Sequence, residues 1–357
     1  MHHKGNYATI SDVAKLANTS TATVSYVLRN DPSRVISDEL RKRVLAASEQ
    51  LHYTKSSVAS GLRGSSRGLV TVLIPQFSNI FFTRICERIE DVCIERNIIP
   101  MICDTREEPE REKRIIENAI NQRADGIIIG PTSEGWKNTE MIRHLDIPLV
   151  AIGRDIAPPS NSQIPQADKD QSVYFVADDG YQAGFLAGST FASLGHKKIG
   201  MIDWNGSVSS SIDRRAGFFD ALKCEHSLDA EVFVASSSIL DSETGYRLTK
   251  ELLSKSMPTA IFYGYHRLAQ GGILYLREMG ISIPNDISVM MIGTPAWAQL
   301  STPQISTIRQ RENDIGTTAG HILMALMAGN DDELLKTKNH IFPCEITNFA
   351  SVKRMTK

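Results

Sequence analysis

The chain has 357 residues, of which 41% are hydrophobic and 22% charged, which is typical of a globular protein with two or three domains. No stretch of about 18 apolar residues occurs, so the sequence predicts no membrane span. Its first residues lack the apolar segment of a secretory signal. The five cysteines are widely spaced without a C-x-x-C motif, which favours reduced core cysteines in a cytoplasmic protein.

The charge is distributed unevenly along the chain. Residues 1–68 carry ten Lys or Arg and five Asp or Glu, a formal charge of +5, whereas the rest carries 29 and 36, a charge of −7. A small basic segment attached to a larger acidic one suggests that only the first segment binds a polyanion.

The first fifty residues predict three short helices, at about 9–17, 21–28 and 37–52, with a tight turn between the first two. Such an arrangement is a helix-turn-helix bundle. A hydroxyl side chain stands where each helix begins, and the expected N-caps are Thr9 or Ser11, Ser20 and Ser37. Apolar residues at helical spacing should form the core of this bundle: Ile10, Val13, Leu16, Ala17, Val24, Val27, Leu28, Leu40, Val44, Leu45 and Leu51.

The next segment, TKSSVASGLRGSSRG at 54–68, has the composition of a linker, being basic, rich in Ser and Gly and nearly free of large apolar residues. Val58, Ala59 and Leu62 nevertheless follow a short helical spacing. A plain linker and a short helix are both open on these residues alone.

From Leu69 onward, strand-like and helix-like segments alternate. Continuous apolar segments such as LVTVLIP are typical of strands covered on both faces, and FFTRICERIEDVCIERN is typical of an amphipathic helix. The alternation restarts after residue 170, which predicts two α/β subdomains with doubly wound parallel sheets. The carboxyl ends of their strands should line a cleft between them.

Motifs of common cofactor and metal enzymes are missing. No G-x-G-x-x-G follows the first strand, and neither G-x-x-x-x-G-K-[ST] nor H-E-x-x-H occurs. We therefore expect no catalytic site, no cofactor and no metal, although a cleft between two α/β subdomains is also compatible with an enzyme.

The segments TISDVAKLANTSTATVSYVL and HYTKSSVASGLRG resemble the head and hinge of the lactose/galactose repressor (LacI/GalR) family of bacterial transcription regulators. The resemblance continues in register through VLIPQFSNIFF, DGIIIGP, IPLVAIGR, LGHKKIGMI, RRAGFFDAL, IPNDISVMMIG and TPQISTIRQ. It therefore spans nearly the whole chain.

The resemblance implies a DNA-binding headpiece, a hinge and an effector-binding core that resembles periplasmic sugar-binding proteins. We place the headpiece at 1–53, the hinge at 54–67 and the core at 68–357. The chain should cross three times between an N-subdomain (68–175 and 304–331) and a C-subdomain (176–303 and 332–357). Family members act as homodimers or larger assemblies, and the last residues carry no leucine heptads, so a dimer is expected.

The resemblance also makes the second helix the recognition helix in the major groove. Its face away from the core carries small or hydroxyl-bearing side chains, which permit a close approach to base edges. Many family members have Arg, which can contact guanine with two hydrogen bonds, where this chain has Tyr26. The residues expected to bind DNA are Ser11, Ser20, Thr21, Ala22, Thr23, Ser25, Tyr26, Arg29, Tyr53, Ser56, Ala59 and Leu62.

In the family, the hinge folds on the operator and inserts a leucine into the minor groove, and Leu62 matches that leucine. Val58 and Ala59 match positions that face the dimer partner. Gly61 opposes helix formation, and Lys55 stands where Pro is frequent. We expect a hinge that is disordered without DNA.

Arg214 matches the family arginine that contacts the effector, and polar or aromatic residues stand near other strand ends. The residues expected to bind the effector are Asn79, Phe81, Phe82, Asp104, Ser133, Arg154, Arg214, Tyr265, His266 and Thr294. Simpler interpretations are a surface ion pair of Arg214 with Asp213 or Asp220, and a helix cap for His266.

Three acidic or amide positions of the family pattern are replaced here, by Gly153, by Tyr265-His266 and by Gly293-Thr294. With these anions missing and the arginines retained, the cleft should prefer a sugar phosphate or an organic acid to a neutral sugar. The alternatives are a degenerate pocket and control by a protein partner.

A periplasmic sugar-binding protein would share the core but needs a signal peptide and no basic head. The sequence is therefore interpreted as a cytoplasmic transcriptional regulator, a repressor rather than an activator, and not as an enzyme. The sign of the effector's action stays open.

Overall fold

The computed structural model describes residues 8–29, 35–53, 67–156, 173–206, 208–226 and 230–355. The chain forms two compact units, Met1–Arg67 and Gly68–Lys357, which we call the head and the core. The interpretations of Ser56, Val58, Ala59 and Leu62 in the hinge lie outside the described residues.

The head contains helices α1 (Ile10–Leu16), α2 (Thr21–Arg29) and α3 (Asp38–Gln50). Thr9, not Ser11, caps α1: its hydroxyl accepts from Asp12 N–H at 3.3 Å, while its own N–H donates to the Asp12 carboxylate at 2.9 Å, a capping box. Ser20 accepts from Thr23 N–H at 3.1 Å and Ser37 from Leu40 N–H at 3.4 Å, as predicted.

The buried core of the head corrects two predicted positions. Leu16 is 46% exposed and Leu45 is 49% exposed, although both were expected to point inward. Each lies outside the buried stripe of its helix, which contains a smaller alanine instead, Ala14 on α1 and Ala47 on α3. The side chains that are buried are Val13, Ala14, Ala17, Val24, Val27, Val44 and Ala47.

The core alternates strands and helices as predicted. The strands are β1 (Val70–Ile74), β2 (Met101–Asp104), β3 (Gly126–Ile129), β4 (Leu149–Ile152), β5 (Tyr174–Asp178), β6 (Lys198–Trp204), β7 (Glu231–Ser237), β8 (Ala260–Tyr263), β9 (Ser288–Ile292), β10 (Ser306–Arg309), β11 (Asn339–Phe342) and β12 (Glu345–Ile346). The helices are α4 (Ile80–Glu95), α5 (Pro109–Asn121), α6 (Gly135–Asn138), α7 (Glu140–Arg143), α8 (Gly180–Ser193), α9 (Ser209–His226), α10 (Ser242–Lys255), α11 (His266–Glu278), α12 (Ala296–Leu300) and α13 (Glu312–Ala328).

The strands form two sheets, which confirms the predicted fold class. The first has the order β11-β5-β4-β3-β1-β2 and is parallel throughout. The second has the order β12-β10-β9-β8-β6-β7 and is parallel except for the antiparallel pair β10–β12. Every residue of β1 is buried, as expected for a strand between two helical layers.

The crossings between the subdomains differ from the predicted boundaries. Because β10 pairs with β9, the second subdomain extends to about residue 310 rather than 303. Because β11 pairs with β5, the second segment of the first subdomain ends at about residue 342 rather than 331. Its first segment ends with β5 at residue 178 rather than at 175. Apolar periodicity identifies a strand but carries no information about which of two similar sheets receives it.

Cys86 and Cys93 on α4 and Cys344 after β11 are buried as expected, and Cys103 is half-buried. Cys224 is exposed near the end of α9, so the expectation of a core cysteine is wrong there. None of the helices in the described ranges combines the length and apolar character needed to cross a bilayer.

Candidate functional site

Helix α2 has one buried and one exposed face. Val24 and Val27 are 0% and 3% exposed, whereas Thr21 and Ala22 are exposed. Ser25 and Tyr26 are half-buried at the border between the two faces. The exposed face therefore carries small side chains at the start of the helix, where backbone N–H groups favour an anion.

The remaining residues expected to bind DNA take different positions. The Ser20 hydroxyl is used as the cap of α2 and lies 2.9 Å from the Thr23 hydroxyl. Ser11 is exposed on α1, and Tyr53 is half-buried against the core of the head. The Arg29 side chain, Ser56, Ala59 and Leu62 lie outside the described atoms. Lys15, Lys42 and Arg43 were counted only in the net charge of the head and not as DNA-binding residues, and all three are exposed.

A small cavity lies where the carboxyl ends of the strands of both sheets meet. Its volume is about 30 Å³. The side chains around it come from the ends of β4, β5, β8, β9 and β10 and from the starts of α4, α9 and α11. The lining residues are Asn79, Phe81, Phe82, Gly153, Arg154, Asp178, Ser210, Arg214, Tyr265, His266, Ile292 and Gln310.

Seven of the ten residues expected to bind the effector line this cavity, and Asp104, Ser133 and Thr294 do not. The Asp104 carboxylate accepts from Phe77 N–H at 3.3 Å and Arg106 N–H at 2.7 Å, which fixes the loop after β2. The Thr294 hydroxyl accepts from Arg84 Nη1 at 3.2 Å. Ser133 is half-buried after β3.

Arg214 is only 2% exposed, so the simpler interpretation as a surface ion pair is wrong. Its Nη1 donates to Gly264 O at 2.7 Å, and its Cζ lies 4.6 Å from the centre of the Tyr265 ring. Burial lowers the pKa of Arg214, but Tyr265, Asp178 and Asp203 together outweigh burial and raise it. The guanidinium therefore stays charged.

One polar atom of Arg214 and one of Tyr265 have no hydrogen-bond partner among the described residues. They are Arg214 Nε and Tyr265 Oη, and both are buried. An unpaired buried donor costs about 1–3 kcal/mol. These two donors are therefore available to the acceptor atoms of a ligand.

Close packing of α8 on α9 places Arg214 at the cleft. Gly184 lies directly against the carbonyl oxygen of Arg214, and Gly217 lies against that of Tyr181. A Cβ atom at either glycine would collide with this backbone, so the two helices need glycine to approach so closely. A larger separation would move Arg214 relative to the strands.

Carboxylates that the sequence reasoning missed accompany the arginines. Glu107 receives two hydrogen bonds from Arg154, at 2.8 and 2.7 Å. Asp178 and Asp203 lie near Arg214, and burial raises the pKa of both carboxyls. The expectation that the cleft retains arginines without nearby carboxylates is therefore wrong. Asp178 was detectable as the last residue of a parallel strand, whereas no sequence signal pairs Glu107 with Arg154.

His266 begins α11, where Tyr265, rather than His266, is the N-cap residue. Its side chain is 8% exposed. Burial, together with the positive charges of Arg267 and Arg84, lowers the pKa of His266 to about 4. The imidazole is therefore neutral at pH 7, and it adds no positive charge to the cleft.

This shift predicts a pH-dependent stability. An unfolded histidine has a pKa of about 6.5, so the stabilisation from the neutral imidazole is complete above that pH and lost as the pH falls toward 4. Between pH 7 and 4, the unfolding free energy of the wild type should fall by about 3 kcal/mol more than that of the His266→Gln variant. Urea unfolding of both proteins at several pH values measures this difference. Parallel curves would contradict it.

Comparison with known proteins identifies relatives of both the head and the core. Residues 9–56 match the family described as bacterial regulatory proteins, lacI family, and residues 189–349 match a periplasmic binding protein-like domain. The repressor PurR of Klebsiella pneumoniae (strain 342) is 29% identical over 335 residues, covering 93% of this chain and 94% of that protein. PurR of Vibrio atlanticus (strain LGP32) is 29% identical over 350 residues, covering 98% and 99%.

Solved structures share the whole fold. The lac repressor dimer bound to operator and the anti-inducer ONPF has a TM-score of 0.81 at 21% identity, covering 98% of this chain and 100% of that one. A LacI-family regulator of Silicibacter pomeroyi has a TM-score of 0.79 at 24% identity, covering 97% and 100%. The capped helix-turn-helix head, the two-sheet core and both matched regions agree: residues 9–56 are a lacI-family helix-turn-helix domain, residues 189–349 belong to a periplasmic binding protein-like domain, and the chain is a DNA-binding transcriptional regulator.

Proposed function

We propose that the protein is a cytoplasmic repressor that binds a palindromic operator as a homodimer under the control of a small molecule in the inter-subdomain cleft. The observation that carries this proposal is the exposed, small-residue face of α2 on a basic head attached to a cleft-containing core. Relatives named as repressors and a lac repressor dimer on its operator support it. We propose no enzymatic activity.

In this proposal, α2 lies in the major groove with Thr21, Ala22, Ser25 and Tyr26 toward the bases. Ser11, Thr23 and the N–H groups at the start of α2 contact phosphates, with Ser20 holding that start in place. The hinge contributes Leu62 as a wedge in the minor groove. Residues proposed to add contacts on either side of these elements are Arg29, Tyr53, Ser56 and Ala59.

Tyr26 should determine how the operator differs from that of relatives with arginine at this position. Selection of bound duplexes from a random pool should return a palindrome with only a weak preference for G at the base pair that faces Tyr26. The reason is that a phenol hydroxyl forms a single hydrogen bond, whereas guanidinium reaches two acceptors of guanine. The matched variant Tyr26→Arg should select G there.

Two results of this selection would count against the proposal. Strong selection of G by the wild type would contradict the role of Tyr26. Recovery of no palindrome at physiological salt, with and without a metabolite extract, would contradict operator binding itself.

The effector is proposed to bind Arg214 and Tyr265, whose unpaired donors require acceptor oxygens. Sugars, sugar phosphates and organic acids all present such oxygens. The carboxylates beside the arginines remove the electrostatic reason to prefer an anion. Calorimetry with matched neutral sugars and their phosphates decides between these classes.

A second candidate is a regulator whose pocket binds no metabolite and responds to a protein partner. The small volume of the cavity, about 30 Å³, favours it, because ligand pockets usually measure about 300 Å³ or more. Absence of binding by any metabolite fraction, combined with operator binding that a cell extract modulates, would support this candidate.

A further inference from the structure

The guanidinium of Arg154 lies close to two aromatic rings that belong to different subdomains. Its Cζ is 5.6 Å from the centre of the Phe82 ring and 5.1 Å from that of the Trp204 ring. Phe82 is part of α4 in the first subdomain, and Trp204 ends β6 in the second. Arg154, which follows β4, therefore contacts the opposite side of the cleft through Trp204.

Arg154 is held firmly from its own subdomain. Its two terminal nitrogens donate to the Glu107 carboxylate at 2.8 and 2.7 Å, and Nη1 also donates to Pro131 O at 3.1 Å. Its side chain is 3% exposed. Contacts between a cation and an aromatic ring are strongest when water is removed from them. The geometry thus combines an anchored charge in one subdomain with a stacked ring in the other.

Other contacts show that the cleft is closed around this group. Arg84 Nη2 donates to Thr294 O at 3.2 Å across the cleft. Arg267 donates to Gln76 Oε1 at 3.1 Å and to the Ser78 hydroxyl on the opposite side. The remaining cavity of about 30 Å³ accommodates roughly one water molecule. The described conformation is therefore closed and filled by the protein's own side chains.

We propose that Phe82, Trp204, the Glu107 carboxylate and the Pro131 carbonyl form a binding site for a planar cation, which we call the guanidinium slot. Arg154 is its resident occupant, and its contacts with both subdomains hold the cleft closed. A small-molecule effector enters only after the contact between Arg154 and Trp204 separates. That regulatory consequence rests on the proposed function, whereas occupancy of the slot does not.

Arginine fits this slot better than lysine because a guanidinium is planar and forked. Its planar face can stack on an aromatic ring, and its edge matches a carboxylate with two hydrogen bonds. A lysine at 154 would keep a charge beside Glu107 but lose the stacking on Trp204. Arg154→Lys therefore tests the bridge between the subdomains without leaving Glu107 unpaired.

Trp204 fluorescence reports on this contact. In a Trp136→Phe/Trp297→Phe background, Trp204 is the remaining tryptophan of the chain, and it is 5% exposed in the closed cleft. Ligand-free protein should shield it from acrylamide. Arg154→Lys should lower the closed-to-open ratio about tenfold, and the quenching constant should rise accordingly.

Arg215→Lys is the matched control. Arg215 Nη2 donates to Asp203 at 2.9 Å and to Trp204 O at 3.3 Å, and all three residues belong to the second subdomain. The same chemical change is thus made beside Trp204 without a contact across the cleft. It should leave the quenching constant unchanged.

A rescue experiment tests the chemistry of the slot directly. In Arg154→Ala, low-millimolar methylguanidinium should restore the shielding of Trp204, whereas methylammonium at the same concentration should not. Circular dichroism establishes that the variant is folded. If Arg154→Ala does not fold, the comparison of Arg154→Lys with Arg215→Lys decides alone.

Three results would overturn the inference: full quenching of Trp204 in the ligand-free protein, equal effects of Arg154→Lys and Arg215→Lys, or equal rescue by the two cations in a folded variant. These measurements use neither DNA nor effector. Their failure therefore leaves operator binding intact, and failure of operator selection leaves the guanidinium slot intact.

Discussion

Ala22→Glu is expected to lower operator affinity about 1000-fold while the head stays folded. Ala22 is exposed on α2, so the longer side chain has room in the free protein. In the proposed complex it would place a carboxylate in the major groove of both half-sites, and losing about 2 kcal/mol per half-site gives a factor of this size. Band-shift titration with the selected operator measures the change.

Ala46→Glu provides the matched control, because Ala46 is an equally exposed alanine of the head that lies on α3 instead. It makes the same change in net charge and volume. It should weaken binding by only a small factor, through the general repulsion between protein and phosphates. Similar losses for the two variants would show that α2 has no special place in the complex.

Arg214→Met is expected to lower the unfolding free energy by about 3 kcal/mol and to abolish effector binding. The methionine keeps most of the apolar volume but leaves the buried carboxylates of Asp178 and Asp203 with less positive charge nearby. Removing one partner of a buried charge cluster costs about 3–5 kcal/mol. Urea unfolding measures the loss, and calorimetry with the effector measures the binding.

The pH dependence of this loss identifies its origin. Burial raises the pKa of Asp178 above that of an unfolded aspartate. A carboxyl of this kind contributes stability that is present at low pH and lost as the pH rises through its folded pKa. Removal of Arg214 raises that pKa further, so the deficit of Arg214→Met should grow from acidic pH toward pH 7. A deficit that is independent of pH would contradict this account.

Arg247→Met serves as the control for stability. Arg247 pairs with Glu251 at 3.9 Å, but the two side chains are 59% and 44% exposed, so water screens the interaction. Its replacement should cost at most about 1 kcal/mol. Equal losses for the two arginines would mean that burial at position 214 has no particular importance.

The head was predictable because its signals are local. Hydroxyl caps, helical spacing and the small residues of α2 act within one helix or one turn, and the structure has Ser20 and Ser37 in the predicted role. Leu16 and Leu45 were misplaced because helical spacing in a short helix does not by itself fix which side faces the core. The buried sides of α1 and α3 contain Ala14 and Ala47 instead.

The cleft was predictable as a location but not as an electrostatic environment. Arg154 and Arg214 were identified on the sequence, and both line the cavity. Their partners were not identified, because Glu107 is 47 residues from Arg154 and lies in a loop without a periodic pattern. Pairing at such a distance follows from how two strand ends meet.

The order and type of the elements, the helix-turn-helix head and the resemblance to the lacI family could be predicted, because they depend on local spacing and on motifs in a fixed order. The sheet that receives β10 and β11, and the carboxylates that lie beside Arg154 and Arg214, became clear only from the folded chain. The same is true of the filling of the cleft by Arg154. These features depend on contacts between residues far apart in the chain, and such contacts form only when the two sheets are assembled.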